Sequence, residues 1–336
     1  MKLQPLFILA LGTAFVTALL ATPQVRKLAL KVGVLDAVDD RRMHAEPKPR
    51  IGGIAVYLGL VFALFVSIGF ALHTTLFHSA NDTQDFFGLL FGGTLIMLVG
   101  VWDDIMGMRP RSKFLAQVVV AIVSMVYGFH IPGFEIPGTD RYVNLPPYID
   151  YPITLVWYLG MMNAINFLDG LDGLLAGVTA ISGIFLFAIA SAHGHVGAAL
   201  VLCALVGGAL GFLPYNFNPA KIFLGDTGSL FIGYVFATVS LLITAKIAVT
   251  VSLLVPLVAL ALPVVDTAAA ILRRFRAGKA ITEADRGHFH HILVFRFGLN
   301  VKQAVLLIYA VSFILGMAAY LLSGSLGVHG RTAGIL

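Results

Sequence analysis

Charge is what this chain has least of. Asp, Glu, Lys and Arg together make up 12% of its 336 residues, while hydrophobic residues reach 59%. An ordinary soluble domain is about one-quarter charged, so a water-soluble globule is excluded. Mean hydropathy is +0.93, the signature of a polytopic membrane protein. Cysteine is nearly absent as well: Cys203 is the single one. It excludes an internal disulfide and a thiolate metal site, and lies in an apolar run where packing suffices. No soluble domain, long linker, low-complexity tract or internal repeat interrupts the chain, which reads as one transmembrane domain over residues 1–336. Nothing in it calls for nucleic acid; the bilayer is its expected partner.

What is present is a series of apolar runs near 3–22, 51–72, 86–101, 114–130, 152–166, 176–192, 197–213, 229–245, 248–271 and 304–323. At roughly 20 residues per crossing, they predict an all-α integral membrane protein of about ten transmembrane helices. The first run is long enough to be a retained helix rather than a signal peptide. Orientation follows the positive-inside rule. All but Lys2, Arg141, Lys246 and Arg331 among the 22 lysines and arginines fall in one set of alternate loops. Those loops are expected to be cytoplasmic, with both termini outside. Residues 131–148, punctuated by Gly and Pro, suggest a small external hairpin.

The same arithmetic gathers the polar residues on the cytoplasmic side. Within NAINFLDGLDGL, Asn163, Asn166, Asp169 and Asp172 recur every third residue. On a continuous α-helix that step drifts across about half the circumference; a tighter turn, eased by Gly170 and Gly173, would align them. Carboxylates at the end of a span are costly, so a functional site is expected; capping of free amides is the structural alternative. Asp103 and Asp104 form an adjacent pair, followed by Arg109, Arg111 and Lys113. Hard divalent cations take one or two carboxylates plus substrate phosphates, a demand this pair meets. Asp226 sits between Gly225 and Thr227–Gly228 at the start of a span, suited to a third metal carboxylate or to an N-cap. Phe223, just before it, could stack on a flat base or simply pack in the core.

Two loops are basic. Arg41, Arg42, His44, Lys48 and Arg50 lie at headgroup level, where they suit a lipid phosphate or merely set topology. His288, His290 and His291, near Arg286, could bind zinc or a diphosphate; their basic neighbours favour the anion. Together these loops suit metal-assisted phosphoryl transfer between a soluble phosphate donor and a lipid phosphate.

The segments DDRRMHAEPKPRIGG, WDDIMGMRPRSKFLAQ, NAINFLDGLDGLLAGV, FLGDTGSLFIGY and ADRGHFHHIL carry a resemblance, in order and on one membrane side. They resemble the polyprenyl-phosphate N-acetylhexosamine-1-phosphate transferases of the bacterial inner membrane. The resemblance implies a cytoplasmic active-site cleft, Mg²⁺ dependence (with Mn²⁺ as a substitute), a UDP-sugar donor and undecaprenyl phosphate as acceptor. It implies catalytic and metal roles for Asp103, Asp104 and Asp226. Asn163, Asn166, Asp169, Asp172, Phe223 and the three histidines would serve the nucleotide sugar. Arg42, His44, Lys48, Arg50 and Lys113 would hold the lipid phosphate. The PKPRIGG and HFHH segments look like the N-acetylglucosamine subgroup rather than the phospho-N-acetylmuramoyl-pentapeptide one. Direct attack on the β-phosphorus and a double displacement through Asp103 both fit. A secondary transporter is the rival class, disfavoured because the acids gather at one surface rather than at mid-bilayer. A homodimer is compatible with these spans, none of which marks an interface.

Overall fold

The computed structural model describes residues 3–36, 47–73, 80–135, 142–244, 260–276 and 292–326. Among them are ten α-helices: α1 (Gln4–Val32), α2 (Gly53–His73), α3 (Ala80–Met106), α4 (Pro110–Val126), α5 (Pro147–Leu168), α6 (Leu174–Ala192), α7 (Val196–Asn216), α8 (Gly225–Thr244), α9 (Ala261–Arg276) and α10 (Val301–Leu326). A π-helical turn, Ile292–Arg296, precedes α10. Seven of them (α1, α2, α3, α6, α7, α8 and α10) are long and apolar enough to cross a membrane. α4 has only 17 residues. The chain is a helical, multi-pass membrane protein, as its composition requires: helices satisfy every backbone amide internally where no water can.

Several helices outrun their apolar cores. α1 continues past residue 22 through Arg26, Lys27 and Lys31, and ends where Gly33 (φ 79°) returns its amide to Ala29 O. α3 extends through Asp103 and Asp104 to Met106. α8 begins at Gly225, so Asp226 lies in its first turn. Hydropathy marks the greasy part of a span, whereas the hydrogen-bond ladder runs on until a cap or a glycine stops it. The first half of the run at 248–271 lies outside the described residues; α9 covers the second half.

α7 and α8 are the most enclosed helices. α1, α2 and α6 pack on α7, while α3, α5 and α2 pack on α8; α4 lies against α3 and α5, and α10 against α6. Two short antiparallel ladders complete the fold. β1 (Leu35–Asp36) pairs with β2 (Lys48–Pro49), and β3 (Gly133–Glu135) pairs with β4 (Tyr142–Asn144). The second is the hairpin expected at 131–148. It is tied to α5 through buried Asp150, which accepts the Ile131 amide at 3.0 Å and meets His130 Nδ1 at 2.6 Å.

β2 positions the site. Phe223 donates its amide to Pro49 O at 2.8 Å, and Gly52 and Gly53 donate to Phe223 O and Leu224 O, each at 2.9 Å. This zipper sets the entry to α2 against the entry to α8. A Cβ on Gly53 would overlap the Gly228 backbone, so only glycine permits the approach.

Candidate active site

The end of α3, the start of α4, the end of α5, β2 and the start of α8 converge on a cluster of carboxylates and two cations. Asp103 ends α3 and turns back: its Oδ1 accepts the Met108 amide at 2.7 Å. That bond closes the turn through Gly107 (φ 68°) and points the first turn of α4 toward Asp103. Lys113, on that turn, places Nζ 2.9 Å from Asp103 Oδ2 and 2.7 Å from Asp226 Oδ1.

Arg50 is the second cation. Its Nη1 lies 3.3 Å from Asp36 Oδ1, its Nε 3.0 Å from Asp104 Oδ1 and its Nη2 3.4 Å from Asp226 Oδ2. One planar guanidinium thus spans carboxylates from β1, α3 and α8, which a lysine's point charge cannot do. Asp104 itself is enclosed. Its Oδ1 also accepts the Asp226 amide at 3.0 Å, and its Oδ2 accepts the Thr227 amide at 2.9 Å and the Thr227 hydroxyl at 2.6 Å.

The NAINFLDGLDGL segment does not line up its four polar residues. α5 stays α-helical through Leu168 and breaks at Asp169; Gly173 (φ 80°) then opens α6. Asn163 faces α4, donating to Gln117 Oε1 at 2.7 Å and to its own helix at Leu159 O. Asn166, about one turn on, donates to Asp226 Oδ1 and to Ser229 Oγ. Asp172 swings away to the loop before α8. Its Oδ2 accepts Asn218 Nδ2 at 3.0 Å, the Ala220 amide at 2.8 Å and Lys48 Nζ at 3.4 Å. Lys48 Nζ in turn stands 5.2 Å from the centroid of the Phe223 ring, a cation–π distance. Asp172, Lys48, Asn218 and Phe223 therefore form a shelf beside the carboxylate cluster.

Asp169 feels the excess of negative charge. Burial raises its carboxyl to about 8; Asp226 and Asp104 push the same way, against Arg50 and the Gly225 amide. A nearby divalent cation would reverse that shift.

Among the described residues no group of three or more His, Cys, Asp or Glu side chains is preassembled for a metal ion. Lys113 and Arg50 stand among the three expected aspartates, and Asp104 has its lone pairs occupied. The donor set still fits Mg²⁺, which needs only one or two carboxylates and takes its remaining ligands from water and substrate phosphate. Asp226 and Asp103 share the Lys113 ammonium, and the raised Asp169 carboxyl lies beside them.

Of the expected phosphate-binding cations, Arg50 and Lys113 lie at the centre of the cluster and Lys48 on the shelf. Arg42, His44, His288, His290 and His291 lie outside the described residues. Sequence reading missed Asp36 as an Arg50 partner, Thr227 and Ser229 as partners of the acids, and Asn218 on the shelf. The GDTGS run held a signal for Thr227, a hydroxyl in a helix's first turn beside an acid. Asn218 had none.

Comparison with known proteins identifies the family of this chain. The sequence profile of glycosyl transferase family 4 matches residues 86–244. A probable undecaprenyl-phosphate N-acetylglucosaminyl 1-phosphate transferase of Bacillus subtilis is 35% identical, across 95% of this chain and 85% of that protein. A decaprenyl-phosphate N-acetylglucosaminephosphotransferase of Mycolicibacterium smegmatis is 33% identical, across 88% of this chain and 77% of its own. A phospho-N-acetylmuramoyl-pentapeptide-transferase of Staphylococcus aureus is 31% identical, across 92% and 96%. With clustered acids and cations at the helix ends and this similarity along nearly the whole chain, the protein belongs to the polyprenyl-phosphate N-acetylhexosamine-1-phosphate transferase family.

Proposed function

We propose that this chain transfers N-acetylglucosamine-1-phosphate from UDP-N-acetylglucosamine to undecaprenyl phosphate, releasing UMP. The observation that carries it is Lys113 held between Asp103 and Asp226, beside the shelf of Phe223, Lys48 and Asp172. In this reading the protein has ten spans, both termini outside and its site on the cytoplasmic face of the inner membrane, where nucleotide sugars are available. The positive-inside distribution of its loops supports that orientation.

Phe223 stacks on the uracil, with Asp172 and Asn218 at its edge. Lys113 and Arg50 exchange part of their carboxylate contacts for the oxygens of the diphosphate, so the self-neutralised cluster becomes a phosphate cradle. Asp226 and Asp103 would hold Mg²⁺, which when bound supplies Lewis-acid relief of the charge on the leaving phosphate. The acceptor reaches the site laterally from the bilayer, with Lys48 and Arg50 on its approach. An oxygen of the lipid phosphate bonds to the β-phosphorus while the bond to the UMP oxygen breaks in line. A phosphate monoester is already ionised near neutral pH, so Asp103 need only accept a residual proton.

The test uses purified full-length protein with undecaprenyl phosphate, Mg²⁺ and radiolabelled UDP-N-acetylglucosamine, beside a tube containing UDP-N-acetylmuramoyl-pentapeptide. Lipid-linked label in the first tube, abolished by EDTA and by Asp226→Asn, is the expected result. Turnover only in the second would move the enzyme to peptidoglycan synthesis. Solute uptake into liposomes without lipid product would overturn the transferase reading.

A further inference from the structure

The acidic pair Asp103–Asp104 reads as two equivalent ligands, yet the two side chains live in different surroundings. Asp103 remains 9% exposed and shares its oxygens with the Lys113 ammonium and one backbone amide. The Asp104 side chain has no exposure at all. A carboxylate offers about four lone-pair sites, and Asp104 has four donors: the Asp226 amide, Arg50 Nε, the Thr227 amide and the Thr227 hydroxyl. Three of these belong to the first turn of α8, where unpaired amides need an acceptor.

The neighbouring backbone is shaped around this contact. A Cβ on Gly225, the first residue of α8, would overlap Asp104 Oδ2, and its φ of 72° suits glycine. A Cβ on Gly100, one turn before Asp104, would stand 2.5 Å from Thr227 Cα. α3 thus crosses the N-terminus of α8 at backbone contact distance and inserts Asp104 as its cap.

We infer that Asp104 is a positioning residue, a helix cap supplied in trans by α3 that aims Asp226 and Arg50 at the reaction centre, and that it is not a metal ligand. The inference rests on the proposed transferase reading for its consequence in catalysis, but the cap stands without it. Through its carboxylate Oδ1, Asp104 accepts the Asp226 amide and holds Arg50 Nε, and with it the guanidinium whose Nη2 reaches Asp226 Oδ2. Replacing it with asparagine turns an NH₂ group toward one pair of donors and loses those bonds.

The deciding experiment combines Mn²⁺ titration by electron paramagnetic resonance, turnover and amide exchange on the full-length protein in detergent. Asp226→Asn is expected to abolish Mn²⁺ binding. Asp104→Asn is expected to retain one bound Mn²⁺ within about fivefold of wild-type affinity, while kcat falls on the order of a hundredfold. Thr227→Val, which removes a donor to Asp104 and touches no metal position, should lower kcat in the same direction, non-additively with Asp104→Asn. Thr227→Ser should recover most of it. Amide exchange across the first turn of α8 should accelerate in Asp104→Asn. Loss of Mn²⁺ in Asp104→Asn to the extent seen in Asp226→Asn would overturn the inference. So would wild-type kcat in Thr227→Val, a result available even if Asp104→Asn does not fold. If the wild type transfers no sugar, the proposed function fails alone. Amide exchange then judges the cap, and unchanged exchange in Asp104→Asn overturns it.

Discussion

The ammonium of Lys113 lies 2.7 Å from Asp226 Oδ1 and, on its other side, 2.9 Å from Asp103 Oδ2. A monovalent cation thereby occupies the ground between the two carboxylates proposed to receive a divalent one. In the proposed reaction, metal or phosphate would have to rearrange this contact, and the ammonium would compete with the metal for Asp226.

Lys113→Met should therefore separate metal affinity from turnover. Removing the competing charge is expected to tighten Mn²⁺ binding by about tenfold. Removing a phosphate-binding donor is expected to lower kcat on the order of a hundredfold. Calorimetric titration of Mn²⁺ alongside steady-state kinetics checks both directions in one variant.

Asp169 sets a pH dependence. Its carboxyl is raised from 3.8 to about 8, with burial the largest cause. The folded state therefore holds a proton that the unfolded chain has already lost. The associated stability is fully present below the unfolded value, and is lost as pH climbs through about 8. Metal-free protein should accordingly melt at lower temperature near pH 8 than near pH 5, and Asp169→Asn should flatten that window. Because a cation in the cluster favours the ionised form, Mn²⁺ affinity should rise over the same range in the wild type. Melting curves in EDTA across the pH series test the first statement; titrations at the same pH values test the second.

In the proposed function Phe223 stacks on the base of the donor nucleotide. Stacking of a base on an aromatic ring is worth ~1–3 kcal/mol, so Phe223→Leu should raise KM for the UDP-sugar roughly tenfold, whereas Phe223→Trp should preserve it. Inhibition by UMP should weaken in parallel, since the same ring would hold the product.

Direct attack by the lipid phosphate predicts inversion at the β-phosphorus. A donor made chiral there by oxygen isotopes or sulfur reports the outcome. Retention would require two displacements, through a phosphoryl group carried by an aspartate, with Asp103 the candidate.

Asn163 separates helix packing from chemistry. Its amide is spent on Gln117 of α4 and on Leu159 O. Asn163→Leu should lower the melting temperature, with ~1 kcal/mol lost from the interhelical bond and the orphaned Gln117. KM for the UDP-sugar should stay within about twofold of wild type.

Much of this protein is decided locally, and that part the sequence determined. Apolar runs near the length of a bilayer crossing must become helices, because only a helix satisfies its own amides in lipid. Acids at the ends of such runs are costly, so Asp103, Asp104, Asp169, Asp172 and Asp226 stand out as candidates from the sequence alone. Glycine and proline between 131 and 148 were enough to announce the β3–β4 hairpin.

What only the tertiary structure decided is which partners each acid meets. Asp103 and Asp104 are neighbours in sequence, but consecutive residues on a helix point about 100° apart. The rotation of α3 against α8 sends one to Lys113 and buries the other beneath Thr227. Asn163 and Asn166 differ in the same way, one turned to α4 and the other to Asp226. The regular three-residue spacing of NAINFLDGLDGL promised one polar face. Helix rotation and the break after Leu168 instead divide it among α4, the carboxylate cluster and the Phe223 shelf. Residue type and hydropathy act along the chain, whereas these assignments depend on how the helices are rotated where they cross. Close glycine contacts such as Gly100 on Thr227, 127 positions apart in the sequence, let α3 and α8 cross at that rotation.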